Sequence, residues 1–423
     1  MKKLLAIALI LCPTLLMAQW EHKHTVGVSA GYEINVFLNP SSLERDGEVQ
    51  GPDELWDNGT FQALQYRLQL ERQLSAGRLK VAGGASGSLY QTEMNANRYA
   101  YDLSASYRVK YADRKYLEVA PQVDDIKRAG INLADAVIRT PFSYQRVLVP
   151  LHLDFYLGNR VWLKTQVGYL YKNYDRENGE SLHYSAPVAE LALSKKWLSE
   201  AHTQKVTFTG GAQLRHYVEY ELTADAPLPN ANDEEEGDFD DFEVDEGREG
   251  FEEDEDYEED EETEDDEPEE ELGDEFYEEK LRDWHFYRTQ LVYEIEGEDS
   301  PYEVSVGLYH LTRLDQDQRN TYHQVSPSIS LSYGTSKAKV SISGKYSYRY
   351  YPNLTPGKGN DNLPLIYQYL RGSARVQFGL GEHLTWWASG QFVYRLSNNP
   401  DPSSLAFQGY FNPIVETGIR YRF

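Results

Sequence analysis

The sequence predicts an all-β fold, a transmembrane antiparallel up-and-down β-barrel of about sixteen strands (roughly 14–16). Three observations carry this reading. Apolar and polar residues alternate with period two over most of the chain, which places one set of side chains on each face of a strand. The segments between these runs are alternately long and short. No stretch beyond the N-terminus reaches the 18 or so consecutive apolar residues of a membrane helix, although the chain is rich in aromatics, with 33 Tyr and 7 Trp.

The alternation is clearest where Tyr99, Tyr101, Leu103, Ala105, Tyr107, Val109 and Tyr111 interleave with Asp102, Ser104, Ser106, Arg108 and Lys110. Val340, Ile342, Tyr346, Tyr348 and Tyr350 interleave in the same way with Lys339, Ser341, Ser343, Lys345 and Arg349. A third apolar row runs from Val147 through Val149, Leu151, Leu153 and Phe155 to Leu157. Strands are expected at 25–38, 61–74, 78–91, 97–111, 114–123, 144–157, 160–172, 183–196, 204–221, 284–296, 301–314, 322–334, 337–351, 366–378, 383–396 and 409–423. The fifth and eighth are the weakest, because Pro121 and Pro187 interrupt them. A proline has no N–H for the ladder.

The connections test this independently. With the N-terminus on the periplasmic side, odd connections should be extracellular loops and even ones short periplasmic turns. The odd ones are 39–60, 92–96, 124–143, 173–182, 222–283, 315–321, 352–365 and 397–408. The even ones include Ser75-Ala76-Gly77, Ala112-Asp113, Gly158-Asn159 and Gly334-Thr335-Ser336; only 197–203 is long for a turn. A soluble sandwich has no reason to sort its connections by parity.

Both ends of the chain bear on the compartment. Lys2 and Lys3 precede the apolar run Leu4 to Leu11, and Leu16-Met17-Ala18 offers a small residue for cleavage. Residues 1–18 are expected to be a secretory signal peptide, with 19–423 the barrel. Cys12 follows Leu11, where a lipoprotein signal would want a small residue, so cleavage is expected near Ala18 or Gln19. The mature chain would then hold no cysteine, hence no disulfide, thiolate nucleophile or zinc–cysteine site. At the other end Val415, Thr417, Ile419, Tyr421 and Phe423 form one row closed by an aromatic terminus. In this architecture the chain resembles Gram-negative outer-membrane β-barrel proteins as a class, porin-like proteins among them. The resemblance implies an outer-membrane location, a lipid environment, and engagement of the barrel-assembly machinery through the strand ending in Phe423. Tyr66, Tyr111, Tyr169, Tyr171, Tyr293, Tyr333, Tyr348, Tyr350, Trp386 and Tyr421 lie on apolar rows, where membrane–water boundaries favour amphipathic rings.

The net charge of −28 belongs to one segment. From Asp233 to Glu279 there are 32 acidic residues against Arg248 alone, so the remainder is close to neutral, at about +3. Residues 225–281 read as an acidic, disordered extracellular loop inserted in the barrel: one sign of charge, few β-branched residues, no period. Three roles stand open for it. It is a solvated brush, a diffuse binder of divalent cations or basic partners, or a segment drawn toward the basic inner wall. It lacks the Asp and Gly spacing of an EF-hand loop.

The rows opposite the apolar ones are polar and charged, and a dry core could not hold them. Lumen-lining candidates are Arg67, Arg146, Lys164, Arg215, Arg288, Lys345, Arg349, Arg371, Arg375, Arg395 and Arg420. Rows of charge in a wide barrel are the ingredients of a solute pathway, and about sixteen strands leave an aqueous channel. The expected function is a porin-like channel or transporter for small hydrophilic solutes. The alternatives are a surface structural or adhesion protein displaying the acidic loop, and an outer-membrane export or assembly factor. Only a few residues separate Gln19 from the first strand, which argues against a plugged, TonB-dependent receptor. The histidines are scattered, with His152 inward and His216 and His310 on apolar rows, and no Gly-x-Ser-x-Gly or His-Glu-x-x-His run occurs. No enzyme activity, catalytic residue, cofactor, metal site or nucleic-acid partner is expected; the oligomeric state is left open.

Overall fold

The computed structural model describes residues 20–36, 41–45, 48–92, 96–127, 143–174, 183–199, 202–217, 283–297, 301–316, 321–335, 337–356, 363–399 and 409–423. The expected signal peptide and the acidic loop 225–281 lie outside the described residues.

Strands β1 (Glu21–Glu33), β4 (Gly59–Gln73), β5 (Gly77–Tyr90) and β6 (Arg98–Ala112) pair in sequence order. The fifth barrel strand is split into β7 (Lys115–Val119) and β8 (Gln122–Lys127). Then follow β9 (Tyr144–Gly158), β10 (Val161–Tyr174), β11 (Tyr184–Leu198), β12 (His202–Tyr217), β13 (Asp283–Gly297), β14 (Tyr302–Asp315) and β15 (Tyr322–Gly334). The last four are β16 (Ala338–Tyr351), β17 (Leu365–Gly379), β18 (Leu384–Ser397) and β19 (Tyr410–Arg422). Every pairing is antiparallel, and β19 returns to β1, so the sheet is a closed barrel of 16 strands. The longest breaks between strands alternate with tight ones as the sequence predicts. We call the two rims the loop end and the turn end.

Three features depart from the expected ladder. The first strand occupies Glu21–Glu33 rather than 25–38, and the chain then turns at Asn35, whose φ is +58°. The connection that follows carries a small hairpin, β2 (Leu43–Arg45) with β3 (Glu48–Gln50), and one helical turn, α1 (Pro52–Leu55). Pro187 does not break its strand. It sits within β11 opposite Tyr169 and costs only a gap in the pairing with β12.

The split at β7/β8 has a simple cause. The register to β6 and to β9 is the same on both sides of it, so no residue has slipped. Pro121 accepts from the Ala105 amide at 3.0 Å, and Pro150 of β9 accepts from the Ala120 amide at 3.1 Å. Neither proline returns a donor. The strand thus loses one ladder bond on each side at adjacent residues. The strand nevertheless extends to Lys127, well past the expected end at 123.

At the turn end, Gly158 with φ +94° opens the β9–β10 turn, followed by Asn159 and Arg160 at φ +51° and +62°. Such left-handed residues match the twist of a tight hairpin. Gly334 at φ +152° does the same for β15–β16, where a Cβ would collide with the Ala338 carbonyl.

The outer face is a band of exposed apolar side chains from every strand direction, including Val28, Leu64, Leu103, Val149, Val167, Leu193, Leu291, Leu308, Ile329, Ile342, Leu370 and Val415. Tyr66, Tyr169, Tyr293, Tyr333 and Tyr421 punctuate it. Apolar surface of this extent is tolerable only in lipid. No described helix is long and apolar enough to cross a membrane; the strands cross it instead. The chain is an outer-membrane β-barrel.

Replacing Pro121, which points to lipid, with Val supplies the missing donor to Ala105. The expected gain is about 0.5–1.5 kcal/mol, read as slower amide exchange across residues 119–123. Unchanged exchange there would show that Pro150 alone sets the break.

Candidate functional site

The inner face is the site, and its geometry follows from parity. On each strand the residues between the lipid-facing ones point inward, and the inward rows change character from one rim to the other. Toward the turn end they are half exposed and paired by charge. Arg78 and Glu71 lie 3.4 Å apart with side chains 48% and 39% exposed. Arg67 lies 3.9 Å from Asp102, Arg108 bonds Asp154, and Lys205 lies 3.2 Å from Glu294. These pairs stand in water, and each is worth about 0–1 kcal/mol.

Toward the loop end the inward side chains are buried. There, from β10 round to β18, the cations meet rings, whereas Arg146 on β9 bonds Asp124. Arg215 lies between Tyr184 at 4.5 Å and Phe286 at 4.3 Å. Arg313 lies between Trp284 at 4.4 Å and Tyr322 at 4.7 Å. Arg349 also lies over Tyr322, at 4.5 Å, and its Nε donates to Gln324 at 2.8 Å. Arg395 stacks on Tyr367 at 4.2 Å, and Lys172 caps Tyr144 at 3.6 Å. Neighbouring members are cross-strand partners: Lys172 with Tyr184, Arg215 with Trp284, Arg313 with Tyr322, Arg349 with Tyr367, Arg395 with Tyr410. The result is a layer of alternating rings and cations running from β9 round to β19.

The remaining arc of the loop end, over β1 to β6, is organised by one carboxylate. Glu33 is 1% exposed and accepts from Arg98 at 3.2 Å, from Asn412 at 3.1 Å and from the Tyr90 hydroxyl. Asn412 is on β19, so Glu33 ties the closing seam to β5 and β6. Phe61, Tyr90, Val36 and Ile414 pack around it.

All eleven candidate residues sit on the rows opposite the lipid-facing ones, but they meet different neighbours. Arg67 pairs with Asp102, Arg146 with Asp124 at 3.0 Å, and Arg288 with Glu190. Lys164 is opposite Asp154 in register. Arg215, Arg349 and Arg395 belong to the ring layer. Lys345 lies 5.5 Å over Tyr309 and is the register partner of Arg371, while Arg375 lies 4.4 Å over Trp387. Arg420 lies on β19 opposite Thr385, near the turn end. Sequence reasoning missed the inward rings, having assigned the aromatics to the membrane boundaries. The signal was present: Tyr367 and Tyr369 share parity with Arg371 and Arg375, as Trp284 and Phe286 do with Arg288.

Among the described residues of this layer, the side-chain amide of Gln213 makes no hydrogen bond. It is 1% exposed, between Val188 and Phe286.

No protein-family model matches the chain, and no curated protein matches it. Solved structures similar to it include in-vitro folded OmpT, an outer membrane protein of Vibrio cholerae. That likeness is 7% identity over 96% of this chain and 97% of that one, at a TM-score of 0.40. The copper transporter OprC is 9% identical over 90% of this chain and 62% of that one, at 0.44. A bacterial polysaccharide outer membrane secretin is 9% identical over 95% and 98%, at 0.41. These are distant likenesses of barrel to barrel.

Two substitutions should move stability in opposite directions. Glu33→Ala removes the buried acceptor shared by Arg98, Asn412 and Tyr90 and should cost about 1–3 kcal/mol. Gln213→Leu replaces an unsatisfied amide with apolar volume and should gain about 1–3 kcal/mol. The temperature at which the folded barrel loses its compact electrophoretic mobility reads both; a destabilising Gln213→Leu would mean that the amide is bonded in the membrane.

Proposed function

We infer that the barrel is a passive, porin-like channel for small hydrophilic solutes that favours anions. The observation that carries this is the wall formed by β15 to β18. Its inward rows hold Lys339, Lys345, Arg349, Arg371, Arg375 and Arg395, and the four strands contain no Asp or Glu. Elsewhere round the barrel, inward cations alternate with carboxylates such as Asp102, Asp124, Asp154, Glu190 and Glu294. The lumen is therefore one-sided in charge. A cleft of one sign with low-dielectric walls raises the local concentration of the opposite ion.

Serine is the most frequent neutral inward residue on the same wall, as at Ser328, Ser330, Ser341, Ser343, Ser373 and Ser389. They are short and polar, which keeps the wall hydrophilic. Ion selectivity from rings of charged side chains has this form.

Full-length protein in planar bilayers should show stepwise conductance, with a reversal potential favouring anions under a salt gradient. The preference should be largest near 0.1 M salt and fade toward 1 M, as the screening length falls from about 10 Å to about 3 Å. Reversing Arg371 and Arg375 to Glu should lower the anion-to-cation permeability ratio several-fold. Folded protein that leaves bilayers sealed at all voltages would remove the channel reading.

A further inference from the structure

We propose that the lipid-facing rim of β13 to β15, at the loop end, holds the phosphate of an anionic phospholipid. Proton uptake by the histidines of that rim turns the contact on. The proposal concerns the outer face and stands whether or not the lumen conducts. It starts from where the outward histidines lie. His216, His285, His310 and His323 fall on four consecutive strands, β12 to β15. They share parity with the exposed apolar residues Phe208, Leu291, Leu308 and Ile329 of the same strands.

Register sets these side chains at one height. Tyr287, Thr312, His323 and Tyr350 are successive cross-strand partners over β13 to β16. Thr289, His310, Val325 and Tyr348 form the next outward row toward the turn end. His285 lies one outward position nearer the loop end than Tyr287, opposite Leu314. The His310 and His323 rings are 6.4 Å apart and 10° from parallel. The Thr312 hydroxyl and His323 Nδ1 share a hydrogen bond at 3.0 Å, which leaves Nε2 as the other polar atom of that ring.

The surroundings are those of a lipid headgroup. Tyrosines in both rows mark the membrane–water boundary, where amphipathic rings sit among headgroups. Next toward the turn end, Leu291, Leu308 and Ile329 are exposed on the same strands, the surface that acyl chains cover. A phospholipid matches both parts at once, with its phosphate on the histidine rows and its chains along the leucines. A soluble anion matches the first part alone.

The charge pattern selects an anion and makes the contact depend on protons. The outward rows of β12 to β16 contain no Lys or Arg, so imidazole is the group there that can become positive. Asp283 is the carboxylate on these rows, and His216 holds it at 3.1 Å, nearer the loop end than the patch. The other ionisable groups facing the patch are Tyr287, Tyr348 and Tyr350. An imidazolium has two N–H donors and no acceptor, and the Thr312 and tyrosine hydroxyls add donors. Protonated histidines side by side repel one another, and a phosphate among them offsets that repulsion. Histidine changes charge between about pH 5 and pH 8, so the same rows release the phosphate when the rings are neutral.

The test uses full-length protein in detergent, mixed with phosphatidylglycerol or phosphatidylcholine of equal chain length. Native mass spectrometry then counts the lipid retained at about pH 5.5 and about pH 8, on either side of the imidazole range. The charge of phosphatidylglycerol is constant over that range, so the protein alone titrates. Its retention should be roughly fivefold greater at the lower pH, the factor for one cation at an anionic lipid surface, with no such change for phosphatidylcholine. His285→Gln, His310→Gln and His323→Gln together, which keep hydrogen bonding and lose the charge, should abolish the difference. The same replacements at His22, His202 and His383, on the opposite rim, should leave it. Compact electrophoretic mobility checks that the variants fold. If the triple variant does not, each single replacement should still lower retention at the lower pH. Retention that ignores pH, or a pH difference that survives in the folded loop-end variants, overturns the site. Inorganic phosphate at the lipid's concentration should displace nothing; displacement would make the ligand a soluble anion and overturn the lipid assignment.

Discussion

In hydrocarbon there is no water to satisfy a backbone amide or carbonyl, and each group left open costs several kcal/mol. The barrel's geometry descends from that constraint. The last strand must find the first, and it does so down to the final residue: the His24 amide donates to the Phe423 carbonyl at 2.8 Å, and the Phe423 amide donates to the His24 carbonyl at 3.0 Å. The two rings stack at 5.1 Å. At the opposite rim Glu33 gathers Asn412, Tyr90 and Arg98 across the same seam. Once the sheet is closed, each strand has one face to lipid and one to the lumen, and half of all strand side chains are committed to the interior. The loss at Pro121 and Pro150 is tolerable because it falls at adjacent residues, leaving the register intact on either side.

The interior then faces the problem of many cations near one another. The molecule solves it in two ways. Over β4 to β9, guanidiniums meet carboxylates, as in Arg67–Asp102, Arg108–Asp154 and Arg146–Asp124, and their charge is cancelled locally. Over β12 to β19 most guanidiniums meet rings. Arg is weakly hydrated and stacks readily, and each ring contact is worth about 0.5–2 kcal/mol, more where water is excluded. A carboxylate partner neutralises the cation. A ring partner stabilises it and leaves the charge in place. The same residue type, partnered differently on two sides of one barrel, makes the lumen electrically one-sided.

Much of this was legible in the sequence, because a period of two fixes both the existence of a strand and which residues share a face. The strand starting at Tyr322 and ending at Gly334 has the expected bounds, and the eleven lumen candidates fall on the non-lipid rows by parity alone. What was not legible follows from the same source. Parity says that Tyr367 and Arg371 share a face, but nothing local says that the face is crowded enough at one rim for rings and cations to stack. That depends on the neighbours, β16 and β18, whose register is set by turns elsewhere. The first strand's boundary was misplaced for a different reason: Asn35 takes a left-handed conformation, an ending that alternation cannot signal. The small hairpin and helical turn between β1 and β4 are too short to show a period.

The position of the ring layer has a consequence for the charges it holds. Coulomb energies scale inversely with the local dielectric, and they are weak in the wet, half-exposed rows near the turn end. Among buried rings water is excluded, so Arg215, Arg349 and Arg395 project their field with less screening than Arg78 or Arg108. In the proposed channel, an anion would meet its greatest attraction at the ring layer, where water is excluded. There dehydration costs most, and the two effects offset each other. Conduction also demands that the anion leave. A single deep ion pair would hold it. In the proposed channel, the series of guanidiniums down the wall, from Arg349 through Arg371 to Arg375, would offer the next contact before the last is broken. The serines between them supply hydroxyls that replace lost water without adding charge. On this view the aromatic layer does more than fill the interior: it sets the dielectric in which the inner wall works.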